Sequence, residues 1–440
     1  MLGDQLPETA AAAHVQTACD LRDHGLPVGG DTDKRGASSE LLGYTTGMAN
    51  PLARISISES SPLNTLGAVA RFVWLLAGSD RLEDIAYYEP RVKDYTDDGL
   101  TVPGSSYGKR LFNPAPGMNQ IAGVVNELKQ NPSSRRAAAV VWLPEDAVRS
   151  SNDIPCTFGV FFHLRDGGLT MTTVMRSNNA LTLLPYNFFE FSMLGEMVAA
   201  ELGVPLARYV HWAASMHCFD AMNTVRNKIT GILQPQAAEM PEMPRGNALK
   251  LGVALASFEA SLRHASTVEE AREIAEKARE ELGTYWGSLF NVLLAYGLAK
   301  RGDRQGALTT LDSLPDYLGR GASKSIETVL GPAAEDATNA DDALFPLSDL
   351  EVLSTSGVAA LVAEAPFQSG SGGTEWLLEV LKDLTSADSP VTLDEVLAVR
   401  EVLVQDGVTL AARNAEEPTE LTPNDVAAAL KAVRKKRGEP

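Results

Sequence analysis

The residue around which chemistry can be built in this 440-residue chain is Cys156. It follows Asp153-Ile154-Pro155 and opens a segment rich in Val and Phe. The proline fixes the approach of the chain. A thiol held at such an entry can serve as a nucleophile, although a free cysteine is more often an inert core residue. Its company decides between the two. Arg135 and Arg136 lie upstream, after Ser133-Ser134, and Arg176-Ser177 opens the next segment. Several guanidiniums bind a phosphate through paired hydrogen bonds and favour a nearby thiolate; on spacing alone they can equally be a solvated face. The stretch RSNNALTLLPYNFFEF (176–191) then sets Arg, Ser and two Asn before an apolar run, with Pro185-Tyr186-Asn187 at a helix start. Asn187 offers both donors and acceptors, so it can read a pyrimidine edge or cap the helix. His217, in SMHCFD (215–220), can bind a sugar hydroxyl or ordered water, or be structural. Three cysteines without CxxC or Cys/His spacing, and an acidic ATNADDA (337–343) without EF-hand spacing, predict no metal.

The elements that must position these groups are mixed. RAAAVVWL (136–143), CTFGVFFHL (156–164) and GLTMTTVM (168–175) read as strands, the last two joined by an Asp166-Gly167-Gly168 hairpin turn. TLGAVARFVWLLAG (65–78), MNQIAGVVNELKQN (118–131) and YNFFEFSMLGEMVAAELG (186–203) repeat apolar residues at three and four, as helices do. The irregular order of strands and helices predicts an α+β fold and no repeat array. Residues 1–40, rich in Ala, Gly and Asp, read as a partly ordered lead-in, and 41–233 as the mixed domain. After the Pro-rich QPQAAEMPEMPRG (234–246) the strand signals stop. A helical region over 247–366 and a second over 374–440 follow, separated by FQSGSGGT (367–374), so the C-terminal extension is expected to be all-α.

Charge narrows the function classes. With 57 Asp and Glu against 38 Lys and Arg, the molecule repels polyanions, which argues against nucleic acid as a partner. Residues 1–245 hold 20 Lys/Arg and 26 Asp/Glu, while the remainder holds 18 and 31. The acidity therefore belongs mainly to the helical part, and the mixed part is free to build a local cationic site. No apolar run approaches the roughly 20 residues of a membrane span, and the first residues lack the order of a signal peptide. Together with the few cysteines, this predicts a cytoplasmic protein.

Several pieces, in order, resemble the thymidylate synthases and the related pyrimidine-nucleotide hydroxymethylases. VWLLAGSDRLEDI (73–85) looks like a family helix and its turn, SSYGKRLF (105–112) its VYGxxWR segment, and NQIAGVVNELKQNPSSRRAAAVVW (119–142) a helix, an Arg-Arg turn and a strand. IPCTF (154–158) resembles the Pro-Cys motif, RSNNALTLLPYN (176–187) the RSxDxxLGxPFN motif, and SMHCFD the DxHxY motif. The resemblance covers roughly residues 41–230 and implies a mixed β-sheet with flanking helices, in a homodimer that pairs sheet against sheet. It also implies that Cys156 attacks C6 of a pyrimidine nucleotide monophosphate, so that C5 can accept a one-carbon unit from 5,10-methylenetetrahydrofolate. By the same resemblance Arg176, Ser177 and Arg35 hold the phosphate, and Arg135 and Arg136 come from the partner chain. Asn187 pairs with the base and favours uracil over cytosine, His217 contacts the sugar side, and Tyr107 assists removal of the C5 proton. Asn179 stands at the position that contacts the folate.

Departures from the family pattern cluster. The catalytic glutamate, a group that organises proton transfer, is replaced by Arg71, and the pterin-contacting aspartate by Asn179. The glycine that lets folate approach is Leu183, the histidine after the nucleophile is Thr157, and the tyrosine on the sugar hydroxyl is Phe219. The resulting expectation is a methyl- or hydroxymethyltransferase acting at pyrimidine C5. The alternative is a non-catalytic nucleotide-binding or scaffold protein on the same fold, whose helical extension binds a partner.

Overall fold

The structure is a computed structural model that describes residues 6–29, 36–58 and 61–331 of the chain. Arg35, the segment after 331 and the expected 374–440 region lie outside the described residues. The elements run α1 (Ala10–His24), β1 (Leu26–Val28), β2 (Ser38–Met48), β3 (Ile55–Ser56), α2 (Thr65–Ala77), α3 (Leu82–Ala86), α4 (Tyr107–Phe112) and α5 (Gln120–Gln130). They continue with β4 (Ala138–Val140), β5 (Thr157–Arg165), β6 (Gly168–Asn179), α6 (Leu184–Leu202), β7 (Leu206–Phe219), α7 (Asn223–Thr230) and β8 (Ala237–Ala238). Four helices follow: α8 (Ala248–His264), α9 (Val268–Lys300), α10 (Arg304–Asp312) and α11 (Asp316–Leu330).

This is the mixed α+β architecture that the motifs imply. Six strands form one sheet in the order β1-β2-β7-β6-β5-β4, with β6 and β7 parallel and the other neighbours antiparallel. The expected hairpin joins β5 to β6. Arg165 pairs with Gly168, and the two loop residues Asp166 and Gly167 both take positive φ, 51° and 77°, as a tight turn matched to strand twist requires.

Helix α6 crosses from β6 back to the parallel β7 and is the buried spine of the domain, with Phe188, Phe189, Phe191, Met193 and Leu194 at 0% exposure. Its predicted start is tolerant of Pro185, which falls in the first turn where backbone N–H groups lack helical partners, and Gly203 ends it in the left-handed conformation. On α2, Asn64 caps the first turn by accepting from Gly67 N, and Arg71 interrupts an otherwise apolar face.

The alanine-rich start is more ordered than its composition suggests. Thr9 caps α1 by accepting from Ala12 N, and Ala10, Ala13, Ala18 and Leu21 are buried in the core. Alanines show little periodic contrast in sequence yet favour helix and allow close packing. The helices after residue 247 share the hydrophobic core of the sheet domain, through Trp286, Leu289 and Phe290 among others. Within α9, Gly283 at φ 62° breaks the helical path. No described helix is long and apolar enough to cross a membrane.

Candidate active site

The chain entry before β5, the last residues of β6 and β7, the starts of α4 and α6 and the middle of α2 converge on one region. Cys156 sits at the entry to β5, half-buried. Its carbonyl accepts from Arg176 N, 2.8 Å away on the neighbouring strand. The Arg176 side chain turns back over the same entry, donating from Nε to Pro155 O (2.8 Å) and from Nη2 to Ile154 O (3.1 Å). Its Nη2 lies 3.9 Å from Cys156 Sγ, so a fixed positive charge stands beside the sulfur, where it favours the negative charge of a thiolate. The guanidinium also lies over the Trp142 ring, 5.9 Å from its centroid.

Parallel pairing of β6 and β7 brings the next residues together. Ser177 Oγ is 3.2 Å from His217 Nδ1, and the Phe219 ring meets His217 edge to face at 5.2 Å. Asn178 Nδ2 donates to Asn187 Oδ1 at 2.7 Å, which fixes the orientation of the Asn187 amide at the start of α6. Asn179 is buried, and its Oδ1 accepts from Leu181 N (3.0 Å) and Thr182 N (3.1 Å) in its own turn.

Tyr107 is the first residue of α4. Gly108 allows α4 to approach α2 so closely that any side chain there would run into the Leu75 carbonyl. The Tyr107 ring lies parallel to Phe191 of α6 at 5.9 Å. Burial raises the phenol above its ordinary range, the neighbouring Cys156 adds to the rise, and the Thr157 hydroxyl tempers it. The phenol therefore stays neutral and serves as a hydrogen-bonding group. Asp153 ties this element to the loop that carries Cys156: its carboxylate accepts from Gly104 N (2.6 Å), Ser105 N (3.1 Å) and Ser105 Oγ (2.5 Å).

Two carboxylates and Arg71 complete the region. Arg71 Nε and Nη2 donate to Glu89 at 3.0 and 2.5 Å, and its guanidinium lies 5.6 Å from the Tyr186 ring centroid. Burial opposes the charge of Arg71, but Glu89 more than restores it. Glu190, buried on α6, is pushed up to about 7 by desolvation, against the pull of Arg71 and with the repulsion of Glu89.

The structure thus gathers Cys156, Tyr107, Arg176, Ser177, Asn187 and His217 of the residues singled out in sequence. It does not gather Arg135 and Arg136, which are exposed before β4. The neighbouring Ala137 carbonyl accepts from Phe162 N. That is six residues along β5 from Cys156, roughly 20 Å at ~3.3 Å per residue. Glu190, Glu89, Trp142 and Asp153 were not anticipated. A signal existed for Glu190 and Arg71, since each is a charge inside an apolar helix and such a charge needs a partner once buried.

The family model described as thymidylate synthase matches residues 29–250. A protein of Methanosarcina acetivorans named "Putative thymidylate synthase" is 33% identical over 161 residues, which is 35% of this chain and 74% of that protein. A deoxyuridylate hydroxymethyltransferase of Pseudomonas phage M6 is 30% identical over 203 residues, 44% of this chain and 55% of that protein. Another, of Bacillus phage SP01, is 28% identical over 185 residues, 39% of this chain and 47% of that protein. The chain thus spans about half the length of the phage relatives.

Proposed function

Because this chain belongs to the thymidylate synthase family, we propose that it activates C5 of a uracil-type nucleotide monophosphate for methyl or hydroxymethyl transfer by adding the Cys156 sulfur to C6. The observation that carries the reading is the 3.9 Å approach of Arg176 to Cys156 Sγ, in a site that also holds Tyr107 and Asn187. One guanidinium can then meet the nucleotide phosphate while favouring the thiolate. Asn187, oriented by Asn178, pairs with the base edge. Ser177 and His217, already in contact, face the phosphate and sugar, and Tyr107, a neutral phenol, relays the proton leaving C5 through its hydrogen bonds. Deoxyuridylate stands in the names of the two phage relatives, which makes dUMP the first substrate to try.

The pterin side does not fit the family's cofactor, methylenetetrahydrofolate, in the family's way. Asn179 spends its acceptor on its own turn, leaving an amide donor where the amino and N–H groups of a pterin need an acceptor. Leu183 adds a side chain where the family has glycine.

Dimerisation is part of the same proposal. The sheet presents Leu42, Val140, Phe158 and Phe161 to solvent, an apolar set that a second copy of the chain would cover. Such a partner would also supply Arg135 and Arg136, which lie too far from Cys156 within one chain.

The test is tritium release from 5-tritiated dUMP, UMP, dCMP and CMP, with and without methylenetetrahydrofolate. Release that Cys156→Ser abolishes supports C5 activation and names base and sugar. No release from any of the four, by a folded protein that binds nucleotide, favours the scaffold reading.

A further inference from the structure

Helix α6 buries two glutamates, and only one of them is accounted for. Glu196 pairs with Arg54 at 2.7 Å, accepts from Met243 N at 2.7 Å and from Tyr285 Oη at 3.4 Å, and so ties α9 to the core. Glu190 has no ion pair among the described residues. Its strongest charged neighbour, Arg71, is committed to Glu89 through both Nε and Nη2. The groups that face Glu190 are Arg71 of α2, Glu89 after α3, Tyr107 of α4 and Tyr209 of β7.

Position is the second observation. Glu190 lies three residues after Asn187 on the same helix, hence on the same face and one turn further in. The next residue, Phe191, stacks on Tyr107. The Glu190 carboxyl itself acts on the Tyr107 phenol across this space, so it shares one region with the proposed base-reading amide and the proposed proton relay. This is also the part of the site in which Arg71 and Thr157 have removed the family's own acid and imidazole.

Thiolate addition to C6 of a uracil drives the C5–C6 electron pair onto the C4 carbonyl oxygen. The enolate needs a proton there, and that proton must leave again when C5 forms its new bond. We propose that Glu190 is the proton carrier for this enol, giving its carboxyl proton to O4 on addition and taking it back when C5 reacts, in place of the carboxyl that position 71 no longer supplies. The inference rests on the proposed addition of Cys156 to C6. A carboxyl buried near neutrality suits the task, since it is neither fully ionised nor unable to ionise at physiological pH.

The experiment follows exchange of the C5 hydrogen of dUMP into solvent from pH 5.5 to 9, with dUMP affinity measured by calorimetry on the same proteins. Glu190→Gln is expected to lower the exchange rate about 100-fold or more, to erase the inflection near pH 7 and to leave affinity within about three-fold. Exchange within about three-fold of wild type with an unchanged pH profile would overturn the inference. Arg71→Met keeps Glu190 and removes its positive neighbour, so the inflection should move to higher pH; an unmoved inflection also overturns it, even if the glutamine variant does not fold. Wild-type protein that shows no Cys156-dependent exchange overturns the proposed function and this inference together. Wild-type exchange with an indifferent Glu190→Gln overturns this inference alone.

Discussion

Replacing Glu190 by glutamine should change the pH dependence of stability in a defined direction. The glutamate titrates at its ordinary 4.5 in the unfolded chain and at about 7 when folded, chiefly because burial penalises the carboxylate. Between these values the folded protein binds more protons than the unfolded one, so stability is fully present below pH 4.5 and is lost as pH rises through about 7. The interval, at about 1.4 kcal/mol per pH unit, amounts to about 3 kcal/mol. Glutamine is nearly isosteric with the protonated acid and does not titrate. The unfolding free energy of Glu190→Gln relative to wild type should therefore rise by about 3 kcal/mol between pH 4.5 and pH 8. Urea unfolding at several pH values, followed by tryptophan fluorescence, reads this difference directly, and subtraction removes every other titrating group. A difference that is flat across the range, or that falls, would refute the reasoning, because either result means that the carboxylate is well solvated or tightly paired.

Other perturbations test the frame of the site. Asp153→Ala removes the acceptor that holds Gly104 and Ser105 against the loop that carries Cys156; it should cost about 2–4 kcal/mol in urea unfolding and slow C5 exchange, with Asp153→Asn recovering part of both. Asn187→Asp should turn the base-reading edge toward cytosine, raising tritium release from dCMP relative to dUMP by about 10-fold or more, the effect of one exchanged hydrogen bond. If Arg135 and Arg136 act across a dimer, the inactive variants Cys156→Ser and Arg135→Ala/Arg136→Ala should regain activity when mixed and refolded together; two inactive proteins that stay inactive on mixing would contradict their action across a dimer.

Much of the fold was legible because strong local signals agreed with the tertiary outcome. The Asp166-Gly167 turn and the apolar periodicity of α2 and α6 each reflect short-range physics. Helix α1 was hidden because alanines carry almost no amphipathic contrast, although several of them are buried. The site was legible where spacing along strands sets proximity: Cys156 meets Arg176 because β5 and β6 form a hairpin, and Ser177 meets His217 because β6 and β7 run parallel. Contacts between distant helices left no such trace. That Arg71 would be absorbed by Glu89 while Glu190 stayed unpaired depends on how α2, the segment after α3 and α6 pack, which no local pattern encodes. Arg71, in sequence only a lost carboxylate, is paired with Glu89 and acts on the Glu190 carboxyl once α6 is laid against α2.

The central claim, that the Cys156 sulfur bonds to C6, is tested most directly with a nucleotide whose electron-poor ring favours the adduct without any cofactor. Incubation with 5-nitro-2′-deoxyuridylate, followed by peptide mass mapping, should show the peptide containing Cys156 gaining the mass of one nucleotide, with loss of the nitrouracil absorbance. Cys156→Ser should bind the same nucleotide without either change. Wild-type protein that binds it, as measured by calorimetry, and yet forms no adduct at Cys156 would contradict the account.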